Sequence, residues 1–257
     1  MGLGFLFSVK SVSGKGNIYM NIKNKRRDYG KLRLSTKDLV GLDWVATMGT
    51  VRLDALAQLF SLVEGREVGL EATRKLVHRW LVIGWAEQQA FLSGVPPFVW
   101  LTKSGMAQTK YSLPAEIPAL ALLQHTSDMS FIRLDAIRAL PSAVWRSERE
   151  IRNVASQHSK GVAYPHLPDG EVLVEGNYIV AIERERTAKT IERTRSIMLE
   201  LCTRKNDYDN SISSEESAKF RYSEIYYYVT NEAFKVVEKA KAQIPENFAK
   251  KVKVITW

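Results

Sequence analysis

One stretch, Pro168 to Lys189 (PDGEVLVEGNYIVAIERERTAK), limits most sharply what this chain can fold into. It reads as a tight turn, a strand, a second strand and the start of a helix. Pro168-Asp169-Gly170 is turn chemistry directly ahead of an apolar run. Tyr178 to Ile182 is β-branched and apolar, the composition of a strand. Glu183 and Glu185 follow at its end. Side chains two apart on a strand share a face, so these carboxylates lie side by side if the strand runs on through Glu185. If the strand after Asp169 pairs next to it, three carboxylates converge. Acids at such range repel one another unless a cation stands between them, and hard oxygen ligands suit Mg²⁺ or Mn²⁺. The plainer alternative is a pair of solvated strand ends, with Arg184 and Arg186 as partners for Glu183 and Glu185.

The remaining composition narrows the setting. At 257 residues the chain is long enough for one large or two ordinary domains with real cores. The single cysteine, Cys202, excludes an internal disulfide framework and a cysteine-rich zinc site. His78, His125, His158 and His166 show no metal spacing such as HxH or HExxH. A cytoplasmic location is expected. Leu3 to Val9 is apolar but too short for a membrane span, and no positive region precedes it. The net charge of +9 is unevenly placed: residues 1–110 hold 16 Lys and Arg against 8 Asp and Glu, and residues 111–257 hold 21 against 20. That asymmetry points to a polyanionic partner for the N-terminal half.

Residues 1–34 read as a basic arm, with Lys23, Lys25, Arg26, Arg27, Lys31 and Arg33 available to lie along phosphates; a solvated tail is the other reading. Residues 35–112 follow as a unit. Ser35 or Thr36 caps a first helix that ends at Gly49. A second spans about Leu53 to Val63, and a third about Leu70 to Ile83, stopped by Gly84. The third buries Leu70, Thr73, Leu76, Val77, Trp80 and Leu81, and shows Glu71, Arg74, Lys75 and His78 on its other side. Trp85 to Leu92 and Phe98 to Leu101, joined across Ser93 to Pro97, give a hairpin signal. Three short helices and a hairpin predict a winged helix-turn-helix. Its third helix would present Arg74, Lys75, His78 and Arg79 to double-stranded DNA, or the unit would serve protein contact instead.

Residues 113–128 read as a connector, with Pro114 and Pro118 in and beside a helical apolar run from Ala115 to Leu123. Residues 129–257 predict an α/β domain with a central mixed sheet. Its elements are a helix to about Leu140, a strand near Ala143 to Trp145, the central stretch, a helix over Ile191 to Arg204, a strand over Glu224 to Thr230, a helix capped by Asn231, and a last strand from Val252. Ser147-Glu148-Arg149-Glu150 fits a capping box, which gives Glu150 a backbone role and leaves a catalytic one for Glu148 or Glu150 as the lesser option. Asn206 to Ser217 is polar and Ser-rich, a loop composition.

An N-terminal winged helix followed by Pro168-Asp169 and then Glu183-Arg184-Glu185 resembles the replication-relaxation family. That family includes plasmid relaxases of mobilisation class C, whose nuclease domain is similar to the PD-(D/E)xK restriction-endonuclease fold. The resemblance covers most of the chain after residue 35. It implies that Asp169 and Glu183 hold Mg²⁺ or Mn²⁺, that Glu185 completes the shell or orients water, and that Lys189 or Arg186 meets a phosphate. Glu185 stands where the usual nuclease motif has its lysine, and class C relaxases carry a similar E-x-E. Lys189 would supply the missing charge or be a surface lysine.

The activity implied is metal-assisted DNA nicking at an origin of transfer, with accessory mobilisation proteins as further partners. Metal chemistry of this kind lowers the pKa of water and screens charge on phosphorus. Tyr178, Tyr208 and Tyr226 to Tyr228 give no reason to assign a tyrosine nucleophile, since a Tyr-rich strand is usually core. The alternative is a non-catalytic DNA-binding replication or transcription regulator on a degenerate nuclease fold; a plain transcription factor with a ligand-sensing domain lacks any Gly-rich phosphate loop.

Overall fold

The computed structural model describes residues 34–91, 93–158, 166–174, 178–205 and 220–257. Helix α1 (Thr36–Met48) opens with a reciprocal capping box: Asp38 N donates to the Ser35 hydroxyl at 3.2 Å, and Ser35 N donates to the Asp38 carboxylate at 2.8 Å. Gly49, at φ 79°, ends it in a backbone region that favours glycine. Strand β1 (Thr50–Arg52), helix α2 (Leu53–Glu64) and helix α3 (Leu70–Val82) follow. Strands β2 (Ala86–Gln89) and β3 (Phe98–Leu101) then form the expected hairpin. The three strands make an antiparallel sheet in the order β1-β3-β2. Strand β1 is too short for its own periodicity and exists through its pairing with β3.

Helix α4 (Lys103–Met106) is a single turn capped by Thr102. The run from Ala115 was expected to be helical, but only Leu120–Leu122 forms a 3₁₀ turn before helix α5 (Leu123–Ala139) begins. Pro118 explains the difference, because the residue before a proline is pushed out of the α region. Helix α5 therefore starts inside the segment read as connector.

The second sheet has five strands in the order β4-β5-β6-β7-β8. They are β4 (Val144–Ser147), β5 (Gly170–Val174), β6 (Tyr178–Glu185), β7 (Glu224–Val229) and β8 (Val252–Thr256). Strands β4, β5 and β6 run antiparallel, and β6, β7 and β8 run parallel. The sheet is thus mixed, with helix α6 (Glu148–His158) after β4, α7 (Ile191–Thr203) between β6 and β7, and α8 (Asn231–Lys241) and α9 (Glu246–Ala249) between β7 and β8. Thr230 caps α8 by accepting from Ala233 N at 3.3 Å, so the cap lies one residue before Asn231. Among the described residues no helix is long and apolar enough to cross a membrane.

Strand alternation gives this sheet two different faces. Val172, Val180, Ile182, Tyr226 and Tyr228 join one continuous core with Leu42, Phe60 and Trp80 of the N-terminal helices. Ala181, Ile225, Tyr227 and Val229 face the other way, against Met198, Leu201 and Cys202 of α7 and Ala233 and Val237 of α8. It is on this second face that the acidic residues fall.

Candidate active site

The register of β5 and β6 pairs Gly170 with Ile182, which sets Asp169 beside Glu183 where the strands meet. Strand β7 brings Tyr227 level with Glu183 from the other side. Glu183 and Glu185 share one face of β6, and the side chain of Glu183 is only 4% exposed. Asp169 accepts a hydrogen bond from the backbone N–H of Arg184 at 2.7 Å, and its other oxygen is 3.2 Å from Nε2 of His125. Oε1 of Glu183 lies 2.9 Å from Nε2 of His166. Oε2 of Glu185 lies 2.7 Å from Nζ of Lys189.

The arginines that alternate with these acids do not neutralise them. Arg184 points to the opposite face, where Nε donates to Asp128 at 3.0 Å and Nη1 donates to the Tyr228 carbonyl at 3.1 Å, with the guanidinium over the Trp257 ring. Nε of Arg186 is 3.4 Å from the same Asp128 carboxylate. The period of two that aligns Glu183 with Glu185 places Arg184 across the sheet from both.

Burial and the charge of Asp169 push the Glu183 carboxyl up to about 7, against the opposing pull of His166 and Lys189. Burial is the largest influence on His166 and lowers its proton affinity, but the hydrogen bond to Glu183 and the charges of Glu183, Asp169 and Glu200 together outweigh it, and the net direction is upward. His125 follows the same pattern: burial opposes its charge, and the bond and charge of Asp169 prevail. Burial also pushes up the Glu148 carboxyl, with the charge of Asp169 adding to it and Arg152 and His125 opposing. Glu150 behaves as its motif predicts, its carboxylate accepting from Ser147 N at 2.9 Å.

Helix α7 fixes His166 through its main chain. The His166 N–H donates to Glu200 at 3.2 Å, and Arg204 donates both to the His166 carbonyl and to Glu200. The hydroxyl of Tyr227 is buried and has no hydrogen-bond partner among the described residues. Its proton is held more tightly than usual, first by burial and then by the charges of Glu183 and Glu185. The histidines carry no spacing signal in the sequence, because each meets its carboxylate only in the folded chain. The one local signal was that His166 stands three residues before Asp169.

On α3, Thr73, Val77 and Trp80 are buried, while Arg74, Lys75 and His78 are exposed. Arg79 is committed within the fold: Nη2 lies 2.5 and 2.6 Å from the two oxygens of the buried Asp38, which also accepts from Trp80 Nε1 at 2.8 Å. Lys25, Arg26 and Arg27 lie outside the described residues.

Asp169 and Glu183 have the donor chemistry for a divalent cation, whose charge would relieve the repulsion expressed in Glu183. Among the described residues no three Asp, Glu, His or Cys side chains stand ready as a ligand set. Neither a family model, nor a curated protein, nor a solved structure matches this chain.

Proposed function

We propose that this protein binds DNA through its N-terminal unit and cleaves one strand by metal-dependent phosphodiester hydrolysis, as a relaxase of the replication-relaxation type would. The observation that carries the reading is Glu183. It is a buried carboxylate set against a second one, Asp169, with no arginine side chain bonded to either among the described residues. Burying mutually repelling acids costs stability, and such arrangements cluster at functional sites. The order of three helices and a three-stranded sheet supports a winged helix-turn-helix, with Arg74, Lys75 and His78 of α3 facing the DNA. The mixed sheet, with Asp169 directly before β5 and Glu183 on the adjoining β6, supports a nuclease-like second half.

Asp169 and Glu183 are the residues that would hold Mg²⁺ or Mn²⁺, which when bound supplies a lowered pKa for water and screens charge on phosphorus. The protein's own groups do the positioning. Glu185 holds Lys189 at 2.7 Å, so that its ammonium is presented toward the acids as a partner for a phosphate oxygen. His125 and the Arg184 amide fix both oxygens of Asp169. Lys189 thus offers a positive charge from the loop just before α7, in place of a lysine at the position of Glu185.

The test is a supercoiled-plasmid nicking assay with Mg²⁺ or Mn²⁺, on plasmids with and without the origin region native to this protein. Origin-dependent conversion to open circle is expected, and Glu183→Ala should abolish it while DNA affinity stays nearly unchanged. Tight binding without nicking would instead leave a DNA-binding regulator.

A further inference from the structure

The last turn of α1 is held from outside its own helix. An α-helix leaves its final carbonyls without intrahelical partners and a partial negative charge at that end. Helix α1 carries no basic residue in its last turn. Two arginines from later helices take that place. Arg149 of α6 donates to the Ala46 carbonyl and, at 2.6 Å, to the Pro114 carbonyl. Arg133 of α5 donates to the Thr47 hydroxyl at 2.8 Å, with its guanidinium 3.8 Å from the centre of the Trp44 ring. A Cβ at Gly49 would stand 3.3 Å from Cδ of Arg149, so the arginine lies directly against the helix end.

The same two helices also touch Asp169. His125 lies two turns before Arg133 on α5, about 12 Å along the axis, and its Nε2 is 3.2 Å from Asp169 Oδ1. Glu148 directly precedes Arg149, and its N–H donates to the Asp169 carbonyl at 3.2 Å. In the other direction α1 is locked to α3. Arg79 and Trp80 of α3 both donate to Asp38 of α1, and a Cβ at Gly41 would meet the Trp80 ring at 2.6 Å. Contacts therefore run in sequence from α3 through α1 to the two arginine-bearing helices and on to Asp169.

We propose that Arg133 and Arg149 are positioning residues that brace the end of α1 and hold Asp169 at one distance from α3, so that the cut falls at a fixed spacing from the DNA that α3 binds. This rests on the reading of α3 as the DNA-binding helix and of Asp169 as part of the cleavage site. Units joined through a hinge move relative to one another by default, and their cuts would spread over neighbouring phosphates. A braced pair confines the cut, because a displacement of about 1 Å already costs about a hundredfold in rate.

The experiment uses the full chain with spin labels attached through Ala72→Cys on α3 and Ser196→Cys on α7, both exposed positions. Cys202 is buried and takes no label. Pulsed electron paramagnetic resonance gives the spread of distances between the labels. One narrow distance is expected in the parent chain. The spread should widen roughly twofold in Arg133→Met and in Arg149→Met, as motion between the units returns. Val237→Ala, a core change on the other face of the sheet, should lower the melting temperature without widening it. On end-labelled origin DNA the parent chain should cut at one phosphate. Each arginine variant should lose about tenfold there and gain cuts beside it. A broad spread in the parent chain, or a width that both arginine variants leave unchanged, overturns the brace. Cuts that stay at one phosphate in both variants overturn its role in spacing. If no chain cuts, while the parent distance is narrow and the variants widen it, the cleavage reading falls, and the spacing role with it, but the brace stands.

Discussion

Glu183 couples the fold to pH. Its carboxyl, ordinarily near 4.5, is pushed up to about 7 by burial and by Asp169. Between those values the folded chain binds more protons than the unfolded one, so this group's contribution to stability is greatest at low pH and is lost as pH rises through 7. His166 and His125 act in the same sense: both are raised above 6.5, so what they contribute is complete below that value and lost as pH climbs through their folded values. Glu183→Gln should therefore flatten the loss, and stabilise the metal-free protein above pH 7 by at most about 3 kcal/mol. Urea midpoints at pH 5 and pH 8 in a chelator check this. Equal falls for wild type and variant would contradict it. At this scale the sequence carried Glu183 and Glu185, because a period of two is local. It could not carry His166 or His125, whose meetings with acids depend on strand pairing and on α5.

The elements were more legible than the residues that join them. Caps, glycine stops and apolar periods marked α1, α2, α3, α7 and the strong strand β7, since each of these signals is complete within a few residues. Strand β1 and the extended run before Leu120 were not marked, the first because its reason lies on β3 and the second because a proline outweighs an apolar pattern. Gly170 shows how an element boundary serves the site. A Cβ there would meet Trp145 at 2.6 Å, so the absence of a side chain lets β5 begin tight against β4, directly after Asp169. Gly170→Ala should cost about 1–3 kcal/mol by overpacking. A thermal melt will show it, and an unchanged midpoint would mean that Trp145 turns aside freely.

Across the whole molecule, charge and core are distributed differently. The excess of basic residues is confined to the N-terminal part of the chain, yet the apolar core runs without a break from Leu42 and Trp80 to Val180 and Tyr228. If α3 carries the DNA contacts, replacing Arg74 and Lys75 together by alanine should reduce the slope of log affinity against log salt by about 2, one for each phosphate contact removed. An unchanged slope would move the binding surface elsewhere. Arg79 is half-exposed but already paired with Asp38, so its removal would act on folding as well as on any DNA contact and is left out of this test.

By itself the sequence determined the mixed helix-and-strand character of the chain, most of its element boundaries and the alignment of Glu183 with Glu185. All of these follow from backbone geometry over a few residues. Tertiary structure alone decided that Arg184 and Arg186 turn to Asp128, that Lys189 pairs with Glu185, and that two histidines and a buried tyrosine surround the acids. Apart from the Glu185–Lys189 pair, which are four residues apart, those contacts join residues distant in the chain. Their free energies depend on burial and on neighbouring charge, and neither exists until the sheet has formed.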